Sequence, residues 1–323
     1  MPDQVPNFNN ETIAKLAKEL YGIEGEISSF VSFEDQNALI KTANDRFVFK
    51  IANKRWSRDF LSMQSEILDY LKVTAPEMTF PAVIKTLTGE TITFIDGHGI
   101  RLLTYLEGDI LANMPRSIEL YQDIGRFLGQ FSKAMQNFNP PTTDGSDELW
   151  KLDNVIACKK YLPDVTDLDA RDRIARLYVY YEKNILPKLD SLRKAVIHGD
   201  ANEQNFLITP DNPTKIAGLI DFGELQFASQ INDLAITLAY ALLDEDDIAM
   251  AANNIIESYD REFRLEDMER DILYDLMAMR LVTNITMTSH SAKMFPDNKY
   301  ILTSQKSARE LLKKLEDEKY ILK

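Results

Sequence analysis

The pattern of apolar residues changes near residue 106, and this change limits the folds open to the chain. Before it, short runs rich in β-branched and aromatic residues alternate with turn residues, which predicts strands. After it, apolar residues recur at helical spacing over long stretches. With 323 residues, of which 45% are hydrophobic, the chain can bury a large core. We therefore predict an α+β fold of two lobes: a small antiparallel-sheet lobe over residues 1–105, with one internal helix, and a larger, mostly helical lobe over residues 106–323.

Local patterns give approximate bounds for the elements of both lobes. In the first lobe, Asn10 is the expected cap of a short helix ending at Gly22, and Ser57 that of the internal helix through Lys72. The expected strands of this lobe cover 26–33, 38–42, 46–51, 82–85, 91–94 and 100–105. In the second lobe we expect helices over 117–137, 171–192 with a kink at Pro187, 231–243, 246–259, 265–289 and 304–318, and short strands at 195–197, 206–208 and 216–220.

Charge and cysteine content exclude several classes of protein. Thirty-seven basic and fifty-one acidic residues leave a net charge of −14, which argues against binding to nucleic acid or to an anionic membrane surface. The single cysteine, Cys158, permits no intramolecular disulfide. Together with three scattered histidines, it is too little for a structural zinc site. No apolar run approaches the roughly 20 residues of a membrane span, and the amino-terminal residues lack a signal pattern, so we expect a cytoplasmic protein.

The segment from Ala195 to Gly223 carries the residues with recognisable chemistry. Asp200 follows His198-Gly199, Asn205 comes five residues later, and Asp221 opens Asp-Phe-Gly after an apolar strand. In phosphoryl transfer to a hydroxyl, one Asp receives or orients the hydroxyl proton, while an Asn and a second Asp hold Mg²⁺ on the nucleotide phosphates. The spacing predicts that these three side chains point into one cleft. We therefore assign Asp200 as the catalytic residue and Asn205 and Asp221 as metal ligands.

With these motifs, the sequence resembles the superfamily of aminoglycoside phosphotransferases and choline kinases from about residue 10 onwards. This resemblance implies a protein-kinase-like fold and phosphorylation of small-molecule hydroxyl groups. Gly199, where protein kinases usually carry arginine, favours the small-molecule branch. The shorter stretches 32–37, 101–108 and 221–224 are similar to hydroxylysine kinases and their bacterial relatives.

The resemblance also implies nucleotide contacts in the first lobe. Lys50 would contact the α- and β-phosphates, and Glu66 on the internal helix would pair with it. Backbone groups around Thr104 and Leu106 would bind the base of ATP, with GTP not excluded. The chain has no glycine-rich loop between the first two strands; the turn from Ser32 to Asn37 would either cover phosphate or form a plain hairpin.

Other residues are candidates for support or for acceptor binding. The resemblance assigns Asp233 to tying down the catalytic loop, and His198 would order that loop through hydrogen bonds. Glu224 would face the metal or a cationic substrate, or be an exposed turn residue. Arg280 and Asn284 share one side of a helix, where the arginine would clamp a substrate carboxylate or form a surface salt bridge.

Together these features predict an enzyme that uses ATP and Mg²⁺ to phosphorylate the hydroxyl of a small amino-containing compound, with hydroxylysine or a related amino alcohol as the first candidate. An aminoglycoside or choline kinase is the alternative within catalysis. A pseudokinase, which would bind nucleotide without phosphoryl transfer, is the alternative outside it. The sequence leaves the oligomeric state open.

Overall fold

The computed structural model describes residues 4–30, 35–142, 149–296 and 299–322, and the chain divides into two compact units. The first unit contains Met1–Gly108 and Asn139–Thr142, and the second contains Asp109–Phe138 and Thr143–Lys323. The first unit thus runs three residues past the boundary expected at residue 105, and it includes a short segment from after the first helix of the second unit.

The first unit contains one antiparallel sheet and two helices within the described residues. Its strands are β1 (Glu26–Ser29), β2 (Gln36–Lys41), β3 (Arg46–Ile51), β4 (Val83–Ile84), β5 (Thr93–Ile95) and β6 (His98–Thr104), and its helices are α1 (Asn10–Tyr21) and α2 (Arg58–Thr74). The strand order is β1-β2-β3-β6-β4, and β5 also pairs with β6. All of these pairings are antiparallel.

Capping residues explain where the helices of this unit begin and end. The cap of α1 is Asn9 rather than the expected Asn10, because Asn9 has extended backbone and its side chain accepts the Thr12 N–H at 2.8 Å. Gly22 ends this helix in the left-handed conformation, at φ +70°. Ser57 caps α2 as expected and accepts the N–H of Phe60.

Strand alternation places Lys50 on the face of the sheet that is turned away from α1. Phe49 and Ile51, its neighbours on β3, are fully buried in one cluster with residues of α1. Since successive side chains of a strand point to opposite faces, Lys50 projects from the other face. It is 8% exposed there.

The second unit contains most of the helices. Its helices are α3 (Ile118–Met135), α4 (Leu168–Asn184), α5 (Asn232–Ala241), α6 (Ile248–Glu262), α7 (Asp267–Met294) and α8 (Gln305–Asp317), and its strands are β7 (Asp109–Ile110), β8 (Lys194–Ile197), β9 (Phe206–Thr209), β10 (Asn212–Leu219) and β11 (Gln226–Ser229). The strands form two small antiparallel sheets, β10-β9-β7 and β11-β8.

Helix α4 and the stretch after Lys151 differ from the sequence expectation, and the short strands β7 and β11 were not predicted. Helix α4 ends at Asn184 instead of continuing through a kink, and a 3₁₀ segment, Leu186–Ser191, follows it. Pro187 explains the break, because proline donates no hydrogen bond and disfavours helical backbone at the residue before it. A second 3₁₀ segment, Leu152–Asp164, has no counterpart among the predicted elements.

The core of the second unit positions the helices that carry site residues. Every residue of α5 is buried, and α7 buries sixteen side chains between Glu269 and Met287. Helix α3 approaches α6 so closely that a Cβ atom at Gly125 would lie 2.1 Å from the carbonyl oxygen of Ile255. Any larger residue at position 125 would therefore force these helices apart. Across the described ranges, no helix has the combined length and hydropathy that a bilayer crossing requires.

A buried carboxylate joins α3 to β10 and provides a test of this core. Asp123, whose side chain is 1% exposed, accepts hydrogen bonds from the Lys215 ammonium at 2.9 Å, the Ile216 N–H at 2.8 Å and the Arg126 Nε at 2.8 Å. Burial alone would raise the pKa of Asp123, but these three donors outweigh it and lower the pKa below its usual value. The carboxylate therefore stabilises the folded unit in its ionised form.

We expect Asp123→Asn to lower the free energy of unfolding by about 2 kcal/mol, below the usual loss for a broken buried pair because both cationic partners are partly exposed. A lowered pKa means that the ionised carboxylate stabilises the fold above pH 4 and that this contribution is lost as the pH falls through the folded-state pKa. Denaturation at pH 7 and at steps down to about pH 2 measures the difference and its loss in acid, with the exposed Asp211→Asn as the matched control. Equal stability of both variants at pH 7 would contradict the assigned role of Asp123.

Candidate active site

The loop between β8 and β9 requires glycine at position 199. Gly199 has φ +79°, and a Cβ atom there would lie 2.1 Å from the carbonyl oxygen of Glu224. Beyond it, the N–H of Asn202 donates to the carbonyl of Asp200 and the N–H of Asn205 to that of Asn202. These tight turns bring the two ends of the loop together, so the side chains of Asp200 and Asn205 become neighbours.

Asp233, at the start of α5, holds this loop through its backbone. Its two carboxylate oxygens accept the N–H groups of His198 at 2.8 Å and Gly199 at 2.9 Å. Burial raises the pKa of Asp233 to about 6, and the two N–H donors oppose that rise. The structure thus places Asp233 in the supporting position that the family resemblance implies.

His198 links the same loop to the strand before Asp221, and its contacts define its tautomer. Nε2 lies 3.0 Å from the carbonyl oxygen of Ile220, which can only accept, so Nε2 carries the proton. Nδ1 then accepts the N–H of Asp200 at 3.3 Å. The ring is fully buried and contacts Phe222 edge to face, with centroids 4.9 Å apart. His198 is therefore a neutral structural residue, as the sequence suggests.

Both carboxylate oxygens of Asp200 have defined partners. Oδ1 accepts from Nη2 of Arg280 at 2.9 Å, and Oδ2 accepts from Nδ2 of Asn205 at 3.0 Å. Burial raises the pKa of Asp200 to about 6; the charge of Arg280 opposes this rise and the nearby charge of Asp221 adds to it. The side chain keeps 26% of its surface exposed. Asp200 is thus held in a fixed orientation, ionised near neutral pH and open to a ligand.

Asn205 and Asp221 have the donor atoms that a magnesium ion needs. Nδ2 of Asn205 donates to Asp200, so the amide oxygen of Asn205 is the atom that remains to face a cation. Asp221 is exposed and adopts left-handed backbone, at φ +61° and ψ +74°. In the described ranges, no three His, Cys, Asp or Glu side chains form a metal cluster. One carboxylate and one amide fit Mg²⁺, which usually takes its remaining ligands from water and substrate phosphates.

Arg280 is buried, so it is not the surface salt bridge considered from the sequence. It is 3% exposed, and besides Asp200 it donates from Nη1 to the carbonyl of Trp150 at 3.2 Å. Its guanidinium carbon lies 5.3 Å from the ring centroid of Trp150 and 5.5 Å from that of Tyr240. The structure therefore shows Arg280 positioning Asp200, which lies 80 residues away in sequence.

The other two candidates for acceptor binding lie around Arg280. Asn284 donates to the hydroxyl of Tyr240 at 3.2 Å and accepts from Ser304, so its amide is already bound by protein groups. Glu224 is half-buried and its charge acts on Arg280. Asn284 thus reaches the site only through Tyr240, whereas Glu224 belongs to its charged neighbourhood.

In the first unit, the expected ion pair of Lys50 with Glu66 is absent. Lys50 is buried on β3, between Asn37 of β2 and Arg101 of β6 in the strand register. Glu66 is exposed, because the buried face of α2 is formed by residues such as Met63 and Ile67. In the part of the chain that the structure describes, no hydrogen bond or ion pair joins Lys50 to Glu66. The described residues therefore do not form the pair that the family resemblance implied.

Two residues were predicted to bind the nucleotide base through their backbone, and the backbone of one of them is still available for a hydrogen bond. The N–H of Thr104 is already bound to the carbonyl of Ala82 at 2.9 Å, whereas the backbone of Leu106 has no hydrogen-bond partner among the described residues. The turn from Ser32 to Asn37 lies partly outside the described residues, which resume at Asp35.

Glu203 lies in the catalytic loop between Asp200 and Asn205 and is not among the residues predicted from the sequence. Burial raises the pKa of Glu203 to about 7; its own backbone N–H and Arg116 oppose the rise, Asp200 adds to it, and Arg280 also opposes it. Its Oε2 is buried without a hydrogen-bond partner. An acidic residue inside an otherwise neutral loop motif was the signal that could have identified it.

Proteins that are similar to this chain are phosphotransferases, in agreement with this geometry. The model of the phosphotransferase enzyme family (APH) matches residues 26–270. Among curated proteins, the chain is 28% identical to hydroxylysine kinase of Xenopus laevis, over 97% of this chain and 91% of the relative, and 27% identical to that of Danio rerio, over 95% and 91%.

Solved structures share the fold at low sequence identity. An amicoumacin kinase in complex with AMP-PNP, Ca²⁺ and Ami has a TM-score of 0.70 at 14% identity, covering 94% of this chain and 93% of the other. A microcompartment-associated aminopropanol kinase has a TM-score of 0.67 at 15% identity, covering 96% and 98%. A complex of APH(2")-IIia with GDP and kanamycin has a TM-score of 0.69 at 16% identity, covering 96% and 99%. Since the family model matches well over half of the chain, the protein belongs to the phosphotransferase enzyme family and is a small-molecule kinase with a protein-kinase-like fold.

Proposed function

We propose that this kinase transfers the γ-phosphoryl group of ATP to the hydroxyl of a small amine-bearing compound, with hydroxylysine as the first candidate. The observation that carries the proposal is the position of the Asp200 carboxylate. It accepts a hydrogen bond from Asn205, and the charge of Asp221 acts on it. The similarity to hydroxylysine kinases over nearly the full length of both chains supports the choice of acceptor.

Asp200 would bind the acceptor hydroxyl and receive its proton. Arg280 and Asn205 hold one carboxylate oxygen each, which leaves the remaining lone pairs for the hydroxyl. Because the phosphoryl transition state is loose, alignment of the hydroxyl with the phosphorus supplies most of the rate and proton removal comes late. The fixed orientation of the Asp200 carboxylate serves that alignment.

Asn205 and Asp221 would hold Mg²⁺, which neutralises charge on the phosphates when it is bound. Lys50 would contact the phosphates, and its neighbour Arg101 in the strand register adds a second cation on β6. Leu106 would bind the base of ATP through its backbone. Because backbone groups read the base, GTP stays an alternative nucleotide, to be measured beside ATP.

The test is ATP consumption by the purified protein with Mg²⁺ and a panel of acceptors: hydroxylysine, homoserine, choline, ethanolamine, 1-amino-2-propanol and kanamycin. The Asp221→Ala variant serves as the blank. Turnover of an amine-bearing hydroxyl compound that disappears in the blank is the expected result. No turnover of any acceptor, despite tight ATP binding, would overturn the proposed function in favour of a pseudokinase.

Two alternatives are separated by the same panel. Turnover of choline or kanamycin but not of hydroxylysine would indicate a choline or aminoglycoside kinase. The presence of Asp200, Asn205 and Asp221 in one site argues against the pseudokinase.

We expect Arg280→Met to shift the acidic limb of the pH–rate profile to higher pH. The guanidinium favours the ionised form of Asp200, while burial and Asp221 oppose it. Without that cation the carboxylate protonates at higher pH, so kcat/KM at pH 6 should fall by at least about tenfold. Arg280→Lys keeps a positive charge, and its acidic limb should stay near that of the wild type. An unchanged limb in Arg280→Met would contradict the positioning role.

A further inference from the structure

Glu203 is an acidic side chain in the catalytic loop without a protein partner for one of its oxygens. Oε2 is buried and accepts no hydrogen bond, although the residue as a whole is only half-buried. A buried polar atom without a partner costs free energy, and for a charged group the cost is larger. Among the described residues, the contact between Glu203 and the segment before α3 is made by its backbone carbonyl and not by its carboxylate.

Arg116 lies on that segment, and it too has a buried polar atom without a hydrogen-bond partner. The N–H of Ala112 donates to the carbonyl oxygen of Glu203 at 2.9 Å, which fixes the segment beside the loop. Nη1 of Arg116 is buried and has no hydrogen-bond partner. The charges of Arg116 and Glu203 influence each other, yet within the described residues no ion pair joins them. An anion and a cation are therefore held near each other, each with an unsatisfied buried atom.

Arg280, a second cation whose charge acts on Glu203, has its amino groups bound elsewhere. These two amino groups are bound to Asp200 and to the carbonyl of Trp150. Glu203 follows Asp200 by three residues in the same loop and the charge of Asp200 acts on it, so Glu203 lies near the carboxylate at which the acceptor hydroxyl would bind.

We propose that Glu203 and Arg116 together bind the zwitterionic head group of an amino-acid acceptor, with its ammonium group on Glu203 and its carboxylate on Arg116. An α-amino acid places these charges one carbon apart, so one head group satisfies both unpartnered atoms at once. Amino alcohols and aminoglycosides carry ammonium groups but no carboxylate, so they would provide a partner for Glu203 and none for Arg116. The inference rests on the proposed function and narrows its acceptor from amine-bearing hydroxyl compounds to hydroxylated amino acids.

The experiment combines binding and turnover. Calorimetry measures the binding of hydroxylysine and 1-amino-2-propanol in the presence of Mg²⁺ and AMP-PNP, and steady-state kinetics measure kcat and KM with ATP. The variants are Glu203→Gln and Arg116→Gln. Their matched controls, Glu257→Gln and Arg171→Gln, make the same chemical changes outside the described site. Unfolding temperatures show that each variant is folded.

Each variant should raise KM and Kd for hydroxylysine by about 10- to 100-fold, the loss expected for one charge-assisted hydrogen bond. The kcat value and the KM for ATP should stay within about threefold of wild type, since binding before chemistry is the step affected. Arg116→Gln should leave 1-amino-2-propanol unaffected, because that compound has no carboxylate. Acetylation of the α-amino group of hydroxylysine should weaken binding to the wild type more than acetylation of the ε-amino group.

Three results would overturn the inference: unchanged hydroxylysine affinity in both variants, a wild type that binds no amino acid, or a fall in kcat at constant KM in Glu203→Gln, which would place Glu203 in proton transfer. The experiment can also contradict the proposed function while supporting this inference. If hydroxylysine binds and its affinity depends on both residues while no acceptor is phosphorylated, the head-group site stands and the phosphotransfer proposal falls.

Discussion

Asp221→Ala is expected to abolish turnover with every acceptor. Asp221 lies in a turn with left-handed backbone, and the substitution removes its carboxylate. Alanine has none of the side-chain oxygens that Mg²⁺ prefers. Asn205 alone would then have to hold the ion, so charge on the transferring phosphoryl group would not be neutralised. We expect kcat/KM to fall by at least about 1,000-fold, with the dependence on Mg²⁺ concentration lost or moved far above that of the wild type.

The measurement is the initial rate of ATP-dependent phosphorylation over a series of Mg²⁺ concentrations. Asp211→Ala, which removes an exposed carboxylate from the turn between β9 and β10, is the control. Recovery of the Asp221→Ala rate at moderately higher Mg²⁺ would show that Asp221 tunes affinity only. Wild-type kinetics at the original Mg²⁺ concentration would refute its assignment as a metal ligand.

Asp200→Asn is expected to retain nucleotide binding and to lose between about 100- and 10,000-fold in kcat, the range found for removal of a positioned acid–base group. The amide has nearly the shape of the carboxylate but cannot take the hydroxyl proton. It also leaves the buried guanidinium of Arg280 without its anionic partner. The loss of kcat should therefore be accompanied by a lower unfolding temperature.

Two readouts separate the chemical loss from the structural loss in this variant. ATP binding measured by calorimetry should be close to that of the wild type, because in the proposed mechanism the Asp200 carboxylate contacts the acceptor and not the nucleotide. The double variant Asp200→Asn with Arg280→Met should regain stability, since both charges of the pair are removed, but it should not regain activity. An active Asp200→Asn enzyme would exclude Asp200 as the base or orienting group.

Contiguous motifs were the part of the site that the sequence could predict. Asp200 and Asn205 lie on one short loop, and Asp221 follows the next strand pair, so their spacing alone brings them together. The helices capped by Ser57 and Ser117 were predictable for the same local reason, because a hydroxyl cap directly precedes an amphipathic run.

Contacts between distant segments could not be predicted from such patterns. The bond from Arg280 to Asp200 joins positions 80 residues apart, and helical spacing did not indicate which neighbour Arg280 would meet. For Glu66 the family resemblance did not determine the contact: a residue beside the buried face of α2 can point to solvent or to the sheet, and the rotation of the helix decides. That rotation depends on packing against the sheet, a tertiary property.

The packing of His198 also bears on how this enzyme can be controlled. A switch needs two resting arrangements of similar free energy. Here the ring of His198 bridges the catalytic loop to Ile220, Phe222 is buried against that ring, and Gly199 lies against the backbone of Glu224. Displacing Phe222 would expose one side of the buried His198 ring and break their edge-to-face contact. We therefore expect no inactive resting form of this segment, so flux through the enzyme should follow the supply of its acceptor and nucleotide instead of a covalent signal.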